Sequence, residues 1–132
     1  HISDLLRTKY WVITGCKYHI CILGIDNLGI VTTLGNDSWD KGVFQQCPNL
    51  EYAILPISLT CIGRYAFSNC NNLKTVVIYA STPPNLIATS AFEKTHSDLA
   101  FYVPDESVSA YQVATNWSAY AARIKGISTL IL

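Results

Sequence analysis

The segments FQQCPNLEYAIL at residues 44–55 and FSNCNNLKTVVI at residues 67–78 share a phenylalanine, a cysteine, an asparagine and a leucine at equal offsets. Phe44, Phe67 and Phe92 continue the series at intervals of 23 and 25 residues. Each of the two segments also fits the pattern L-x-x-φ-x-φ, where φ is an apolar residue. Self-similarity at this period indicates a repeat protein, in which each unit buries its apolar face only by stacking on its neighbours.

The leucine-centred motif predicts a repeat solenoid of the α/β leucine-rich repeat class, rich in β-structure, with short strands stacked in a curved sheet. Alternate residues of a strand point to opposite faces, so Ala53 and Leu55 should face the core together with Val76 and Ile78. The expected architecture is therefore a right-handed stack of about four units, closed at its end by a C-terminal helical cap.

A second arm follows each strand and is expected to close the core from the far side. SLTCIGRYAF at residues 58–67 aligns with PNLIATSAF at residues 84–92, which matches Ile62 with Ile87 and Phe67 with Phe92. A further strand is predicted in LAFYVP at residues 99–104, with its apolar residues Phe101 and Val103 facing inward.

The chain divides into three predicted parts. Residues 1–41 form a degenerate N-terminal repeat or cap with candidate strands at 10–15 and 18–23. Residues 42–104 form the leucine-rich repeats. An inserted loop at 36–42, which carries Trp39, lies at the junction of these two parts. Residues 105–132 form a C-terminal cap, with Ser107 as a helix N-cap, one apolar helical stripe through residues 108–124, and a short final strand at 127–132.

Composition excludes some functions. Nine basic residues balance nine acidic ones among 132, and no basic stripe is present, so the chain lacks the charge pattern of a nucleic-acid binder. No apolar stretch approaches the ~20 residues that span a bilayer, so no membrane insertion is expected. No secretory signal stands at the N-terminus, and a start at His1 suggests a mature or trimmed chain whose signal has been removed.

The residues also resemble a known family. NLEYAILPISLTCIGRYAFSNCNNLKTVVI at residues 49–78 is similar to BspA-like leucine-rich repeats, and the tail from residue 102 resembles the closing segment of such repeats in secreted proteins of host-associated bacteria. The resemblance implies a secreted or cell-surface protein that acts in adhesion or protein binding, with no catalytic residues to carry over. The matching positions are Pro56, Ser58, Leu59, Thr60, Ile62, Gly63, Ala66, Phe67, Cys70 and Leu73.

The outward positions of the predicted strands form the candidate binding surface. Tyrosine is enriched at binding hot spots, and a contiguous exposed apolar patch often marks an interface. The alternative is that a neighbouring domain or a long loop covers this surface. We call it the strand face, and its residues are Tyr52, Ile54, Thr75, Val77, Tyr79 and Tyr102.

The sequence gives only weak indications of a metal site, a disulfide or a glycosylation site. Cys16, His19 and Cys21 have a C-x₄-C spacing with no second ligand pair, so ordinary strand residues are favoured over a metal site. Cys47 and Cys70 lie one repeat apart and are predicted to be small buried apolar side chains, the alternative being a bridge between stacked units. Asn36-Asp-Ser and Asn116-Trp-Ser match the glycosylation pattern, which matters only in a eukaryotic secretory pathway.

The sequence therefore predicts a non-enzymatic extracellular or cell-surface protein that uses no cofactor and binds a protein, peptide or glycan through the strand face. One alternative is a structural spacer within a larger surface protein. The other is an enzyme with a nucleophilic thiol, at Cys61 or in the region of Cys16 and Cys21, although no histidine is brought to Cys61 by any motif.

Overall fold

The computed structural model describes residues 20–22, 25–26, 29–30, 33–34 and 45–130. The predicted strand at 10–15, Phe44 and the loop at 36–42 with Trp39 lie outside the described residues. The ten described strands are β1 (Ile20–Ile22), β2 (Ile25–Asp26), β3 (Gly29–Ile30), β4 (Thr33–Leu34), β5 (Tyr52–Leu55), β6 (Cys61–Ile62), β7 (Thr75–Ile78), β8 (Asn85–Leu86), β9 (Ala100–Val103) and β10 (Ile124–Gly126).

The helical elements are short. One α-helix, α1, spans Val108–Val113, and 3-10 turns span Thr89–Phe92, Asp105–Ser107, Trp117–Arg123 and Ile127–Thr129. Within the described ranges, no helix is long and apolar enough to cross a bilayer.

The main sheet contains five parallel strands in the order β1-β5-β7-β9-β10. Ala53 of β5 is in register with Val76 of β7, which is in register with Phe101 of β9. The strands predicted at 18–23 and 99–104 are confirmed, at Ile20–Ile22 and Ala100–Val103. The parallel sheets fit a repeat fold, whereas the curvature of the sheet and the handedness of the stack stay predictions, as does the division of the chain into three parts.

The predicted inward row is confirmed. The side chains of Ala53, Leu55, Val76, Ile78, Phe101 and Val103 are all fully buried. Since equivalent residues of successive repeats lie side by side in this register, the core is continuous from one repeat to the next.

A smaller parallel sheet, β4-β6-β8, lines the opposite side of the core. Its register pairs Ile62 with Leu86, and both side chains are buried, whereas Ile87 is half-exposed. The sequence alignment of Ile62 with Ile87 was therefore wrong by one residue. The 84–92 arm has one more residue than the 58–67 arm between this strand and its phenylalanine, and the extra residue is absorbed before the 3-10 turn.

The phenylalanines stack as the repeat predicts. The rings of Phe67 and Phe92 are nearly parallel, with centroids 5.4 Å apart, and the Phe67 N–H donates to the Ala91 carbonyl at 2.8 Å. Two residues after each phenylalanine position, the backbone turns through the left-handed region, at Gln46 (φ 59°), Asn69 (φ 63°) and Lys94 (φ 55°). This recurring turn directs the chain from the second arm toward the next strand.

The C-terminal part differs from its prediction in three ways. Helix α1 ends at Val113, and the chain then passes through Asn116 at φ 67°, so no continuous helix runs to residue 124. The Ser107 hydroxyl makes no cap bond to the helix and donates to the Ser81 carbonyl at 2.7 Å. The last strand is Ile124–Gly126, while Ile127–Thr129 forms a 3-10 turn, and the rest of the predicted final strand includes residues outside the described ones.

These differences have one physical cause. The closing segment, residues 105–130, follows the last repeat, whose outward-facing carbonyls have no further repeat to pair with. Side chains of the closing segment supply the missing donors. The bonds run from Tyr111 Oη to Ala80 O (2.7 Å), from Trp117 Nε1 to Pro84 O (2.8 Å), from Asn116 Nδ2 to Leu86 O (2.7 Å) and Ile87 O (3.2 Å), and from Tyr120 Oη to Thr89 O.

Replacing Tyr111 with phenylalanine should destabilise the protein by about 1–3 kcal/mol, because the buried Ala80 carbonyl would lose its donor without access to water. Urea denaturation followed by circular dichroism measures the change. The matched control is Tyr79→Phe, since Tyr79 is 47% exposed and its hydroxyl is replaceable by water. Equal midpoints for the two variants would contradict the proposed closure.

Replacing Lys94 with glycine should stabilise the protein by about 0.5–1 kcal/mol, because glycine adopts φ 55° without the steric cost that a β-carbon imposes. The control is Lys125→Gly in the extended strand β10, where glycine should instead destabilise by a similar amount. Thermal unfolding of both variants measures the difference in sign, and a loss of stability in Lys94→Gly would contradict the role assigned to this turn.

Candidate functional site

The strand face is built from three rows that run across the parallel strands. Tyr52 and Thr75 are in register in the first row, and Ile54, Val77 and Tyr102 are in register in the second. Tyr79 follows β7 and lies two residues beyond Val77, so it stands in a third row on the same side as Val77. The structure thus places all six predicted residues on one side of the main sheet, although their three tyrosines lie in three different rows.

Exposure differs strongly within the strand face. Tyr79 is 47% exposed, and Tyr52, Ile54, Thr75 and Tyr102 are partly buried. Val77 is only 4% exposed, so the prediction that it points freely to solvent was wrong. It occupies the middle strand, between Ile54 and Tyr102, and its side chain is shorter than either of theirs, so it does not emerge between them. Val77 therefore forms an apolar floor between the tyrosines.

Sequence reasoning missed one residue of this surface. Lys125 of β10 is in register with Tyr102 and is exposed, which places an ammonium group at the end of the second row. Residues 108–124 carry a helical apolar stripe, and this pattern concealed a three-residue strand that begins at the last residue of the stripe, Ile124. Only the pairing of β10 with β9 identifies Lys125 as part of the surface.

The cysteines correct another prediction. Cys47 is buried, as expected, but it is disulfide-bonded and not a free apolar side chain. Cys70, its neighbour one repeat on, is a buried free thiol, and Cys61 is a partly exposed free thiol, so neither is the partner of Cys47. Stacking one repeat apart therefore does not pair Cys47 with Cys70.

The free thiols have the electrostatics of unreactive side chains. Burial raises the pKa of Cys70 to about 11, against a weaker lowering by its contact with the Cys47 backbone. Burial also raises the pKa of Cys61. Because the thiolate is the nucleophile, a raised pKa lowers the reactive fraction at neutral pH, which is the opposite of an activated catalytic cysteine.

The remaining candidates are not assembled into a site. The side chains of Cys16, His19 and Cys21 lie outside the described residues; among those described, no three His, Cys, Asp or Glu side chains are grouped to hold a metal ion. Asn36 is likewise outside. The Asn116 amide donates to two carbonyls of the last repeat, so a glycan on this nitrogen would displace both bonds.

Comparison with known proteins identifies the repeat. A family model described as BspA type leucine rich repeat region (6 copies) matches residues 35–114, more than half of the chain. No curated protein matches the sequence.

The thiols of Cys61 and Cys70 should react slowly with iodoacetamide in the folded protein at pH 8. With a pKa of about 11, Cys70 is ionised to the thiolate in roughly one molecule per thousand at that pH. Its alkylation should accelerate as the pH rises toward 11. Peptide mass spectrometry measures labelling at each cysteine, with the guanidinium-unfolded protein as the control. Faster labelling of Cys61 or Cys70 in the folded than in the unfolded protein would contradict this and restore the thiol-enzyme alternative.

Proposed function

Because the chain belongs to the BspA-type leucine-rich repeat family, we propose that it is an extracellular or cell-surface recognition module that binds a protein or glycan partner through the strand face. The observation that carries this proposal is the placement of Tyr52, Tyr79 and Tyr102 on one side of a rigid parallel sheet, around the apolar floor of Val77 and Ile54.

The geometry suits recognition because the strand face is preorganised. Each strand of the face has a fully buried neighbour at every alternate position, such as Ala53, Val76 and Phe101, so the backbone under the tyrosines is held in place. Tyrosine has only two side-chain torsions to restrict on binding, and its ring supplies contact area together with a hydroxyl. Little conformational entropy of the surface is therefore lost on binding.

The surface offers two kinds of contact. Ile54 and the tyrosine rings can pack against apolar groups of a partner, while the three phenol hydroxyls and Lys125 can hydrogen-bond to polar ones. A protein surface with an apolar centre and an acidic or polar rim fits this arrangement best. A glycan that stacks on the tyrosine rings is the second partner class, and the resemblance to adhesion proteins supports either one.

The family supports a surface or secreted localisation. BspA-type repeats usually belong to surface proteins, which supports assignment of this chain to the cell surface or to secretion. A disulfide at Cys47 agrees with that assignment, since disulfides persist in oxidising compartments.

Binding is favoured over the other two functions. Leucine-rich repeat proteins of this family are generally non-enzymatic, and the raised thiol pKa values oppose a cysteine nucleophile. A spacer role would use the ends of the stack, but the closing segment already occupies the end of the last repeat with hydrogen bonds from Tyr111, Asn116 and Trp117.

The test is binding of the purified domain to arrays of extracellular-matrix proteins and host glycans. The variant Tyr52→Ser/Tyr79→Ser/Tyr102→Ser should lose at least about tenfold in affinity for any partner found, because truncating even one hot-spot aromatic residue costs about 2 kcal/mol or more. Circular dichroism establishes that the variant is folded. The array also separates the two partner classes.

The matched control is Val113→Ser, which removes an apolar side chain that is 81% exposed on helix α1, away from the strand face. Its affinity should equal that of the unmodified protein. Unchanged affinity in the folded triple variant would place the binding site elsewhere, and an absence of binding by the unmodified protein would favour the spacer function.

A further inference from the structure

A polar groove lies between the last repeat and the closing segment. Its volume is about 310 Å³, at the small end of the range for ligand sites. One wall is the turn that follows Phe92, and the other is the 3-10 turn Trp117–Arg123. None of its lining residues belongs to the strand face. We call it the 93–123 groove; the residues used below are Glu93, Lys94, His96, Ser97, Tyr120 and Arg123.

The cations of the groove are not neutralised by the protein. Arg123 donates one long hydrogen bond, from Nη1 to the Leu99 carbonyl at 3.4 Å, which leaves most of its five N–H donors unused. Within the described residues, no carboxylate lies within ion-pair distance of Arg123 or of Lys94, an exposed residue of the left-handed turn that lines the groove. The site therefore presents two positive charges to an incoming group.

The imidazole of His96 adds a further donor. Its Nδ1 accepts the backbone N–H of Asp98 at 3.0 Å, which places the proton of the neutral ring on Nε2. The nearest carboxylate oxygen of Asp98 is 3.9 Å from Nδ1, and Asp98 is itself exposed and does not line the groove. His96 can therefore donate from Nε2.

The groove also contains acceptors. Glu93 Oε1 accepts the Ser68 hydroxyl at 3.0 Å, and its second carboxylate oxygen is outside that bond. Ser97 contributes an exposed hydroxyl. The Tyr120 ring packs against Phe92 with centroids 6.0 Å apart and forms a fixed aromatic surface beside the polar groups. Donors, acceptors and one aromatic surface thus converge in a space of monosaccharide scale.

We propose that the 93–123 groove binds an acidic sugar, such as a uronic acid unit of a glycan. Arg123 and Lys94 contact the sugar carboxylate, and Glu93 and Ser97 bond the ring hydroxyls. The ring hydroxyls distinguish this ligand from a simple anion, because they give Glu93 and Ser97 hydrogen-bond partners that a simple anion lacks. An acidic peptide fits less well, because it carries few hydroxyl donors for Glu93.

Amide chemical shifts of the ¹⁵N-labelled protein test this directly. Titration with methyl glucuronide and methyl galacturonide should give saturable shifts at residues 93–97 and 119–123. The matching neutral glycosides, sodium acetate and an acetylated, amidated Glu-Glu peptide should each bind at least about tenfold more weakly, because each lacks either the charge or the hydroxyls. The strand-face amides should not shift, which keeps this test separate from that of the strand face.

Two variants remove the positive charges and are compatible with the existing backbone conformation. Arg123→Gln keeps a side-chain donor for the Leu99 carbonyl, and Lys94→Asn suits the left-handed turn; each should weaken uronide binding about tenfold. The control Lys74→Gln removes the same charge at an exposed lysine that neither lines the groove nor belongs to the strand face, and should bind normally.

Four results would overturn the proposal. These are no shift with either uronide, equal shifts with acetate, stronger binding of the peptide than of the uronides, and retention of full uronide binding in folded Arg123→Gln and Lys94→Asn. The peptide result would assign the groove to acidic protein segments.

Discussion

The structure depends on the pairing of backbone groups from one repeat to the next. A repeat of this length has too little apolar surface to stand alone, and both edges of its strands carry unpaired N–H and carbonyl groups. Parallel pairing of β5 with β7 and of β7 with β9 gives the backbone groups of each strand hydrogen-bond partners on the next strand. The same register aligns Ala53, Val76 and Phe101 in the core. Hydrogen bonding and apolar burial therefore favour the same register.

The closing segment solves the problem that such a stack creates at its end. Trp117 and Tyr111 are fully buried, and each also donates a hydrogen bond to a carbonyl of residues 80–84. One side chain thus extends the aromatic core and substitutes for the next strand. This arrangement requires hydrogen-bond donors at several positions along the last repeat, so the closing segment cannot be a straight helix. It is interrupted at Asn116, whose side-chain amide donates to the Leu86 carbonyl at the edge of β8.

Both proposed binding surfaces derive their rigidity from the same pairing. The strand face stands on the sheet whose inner side is locked in the core, and the 93–123 groove forms where the recurrent turn after Phe92 meets the closing segment. The residues EKTHSD at 93–98 were visible in the sequence as a polar run, but Arg123 lies far along the chain from them. No spacing rule joins the two, so the groove could not be predicted before the closing segment was placed.

The sequence by itself determined the repeat, its strands and the inward rows, because a period near 23 residues and an alternation of apolar side chains specify which residues stack. Predictions that needed more than the local pattern failed at particular residues. Ile87 was matched to Ile62 because each lies five residues before its phenylalanine, and Val77 was expected to be exposed from alternation alone. Only the tertiary structure decided that Leu86 pairs with Ile62, that Val77 is enclosed by its neighbours, and that Lys125 joins the sheet. The physical reason is that strand pairing and hydrogen-bond closure are set by groups distant in the chain, whose positions no local pattern contains.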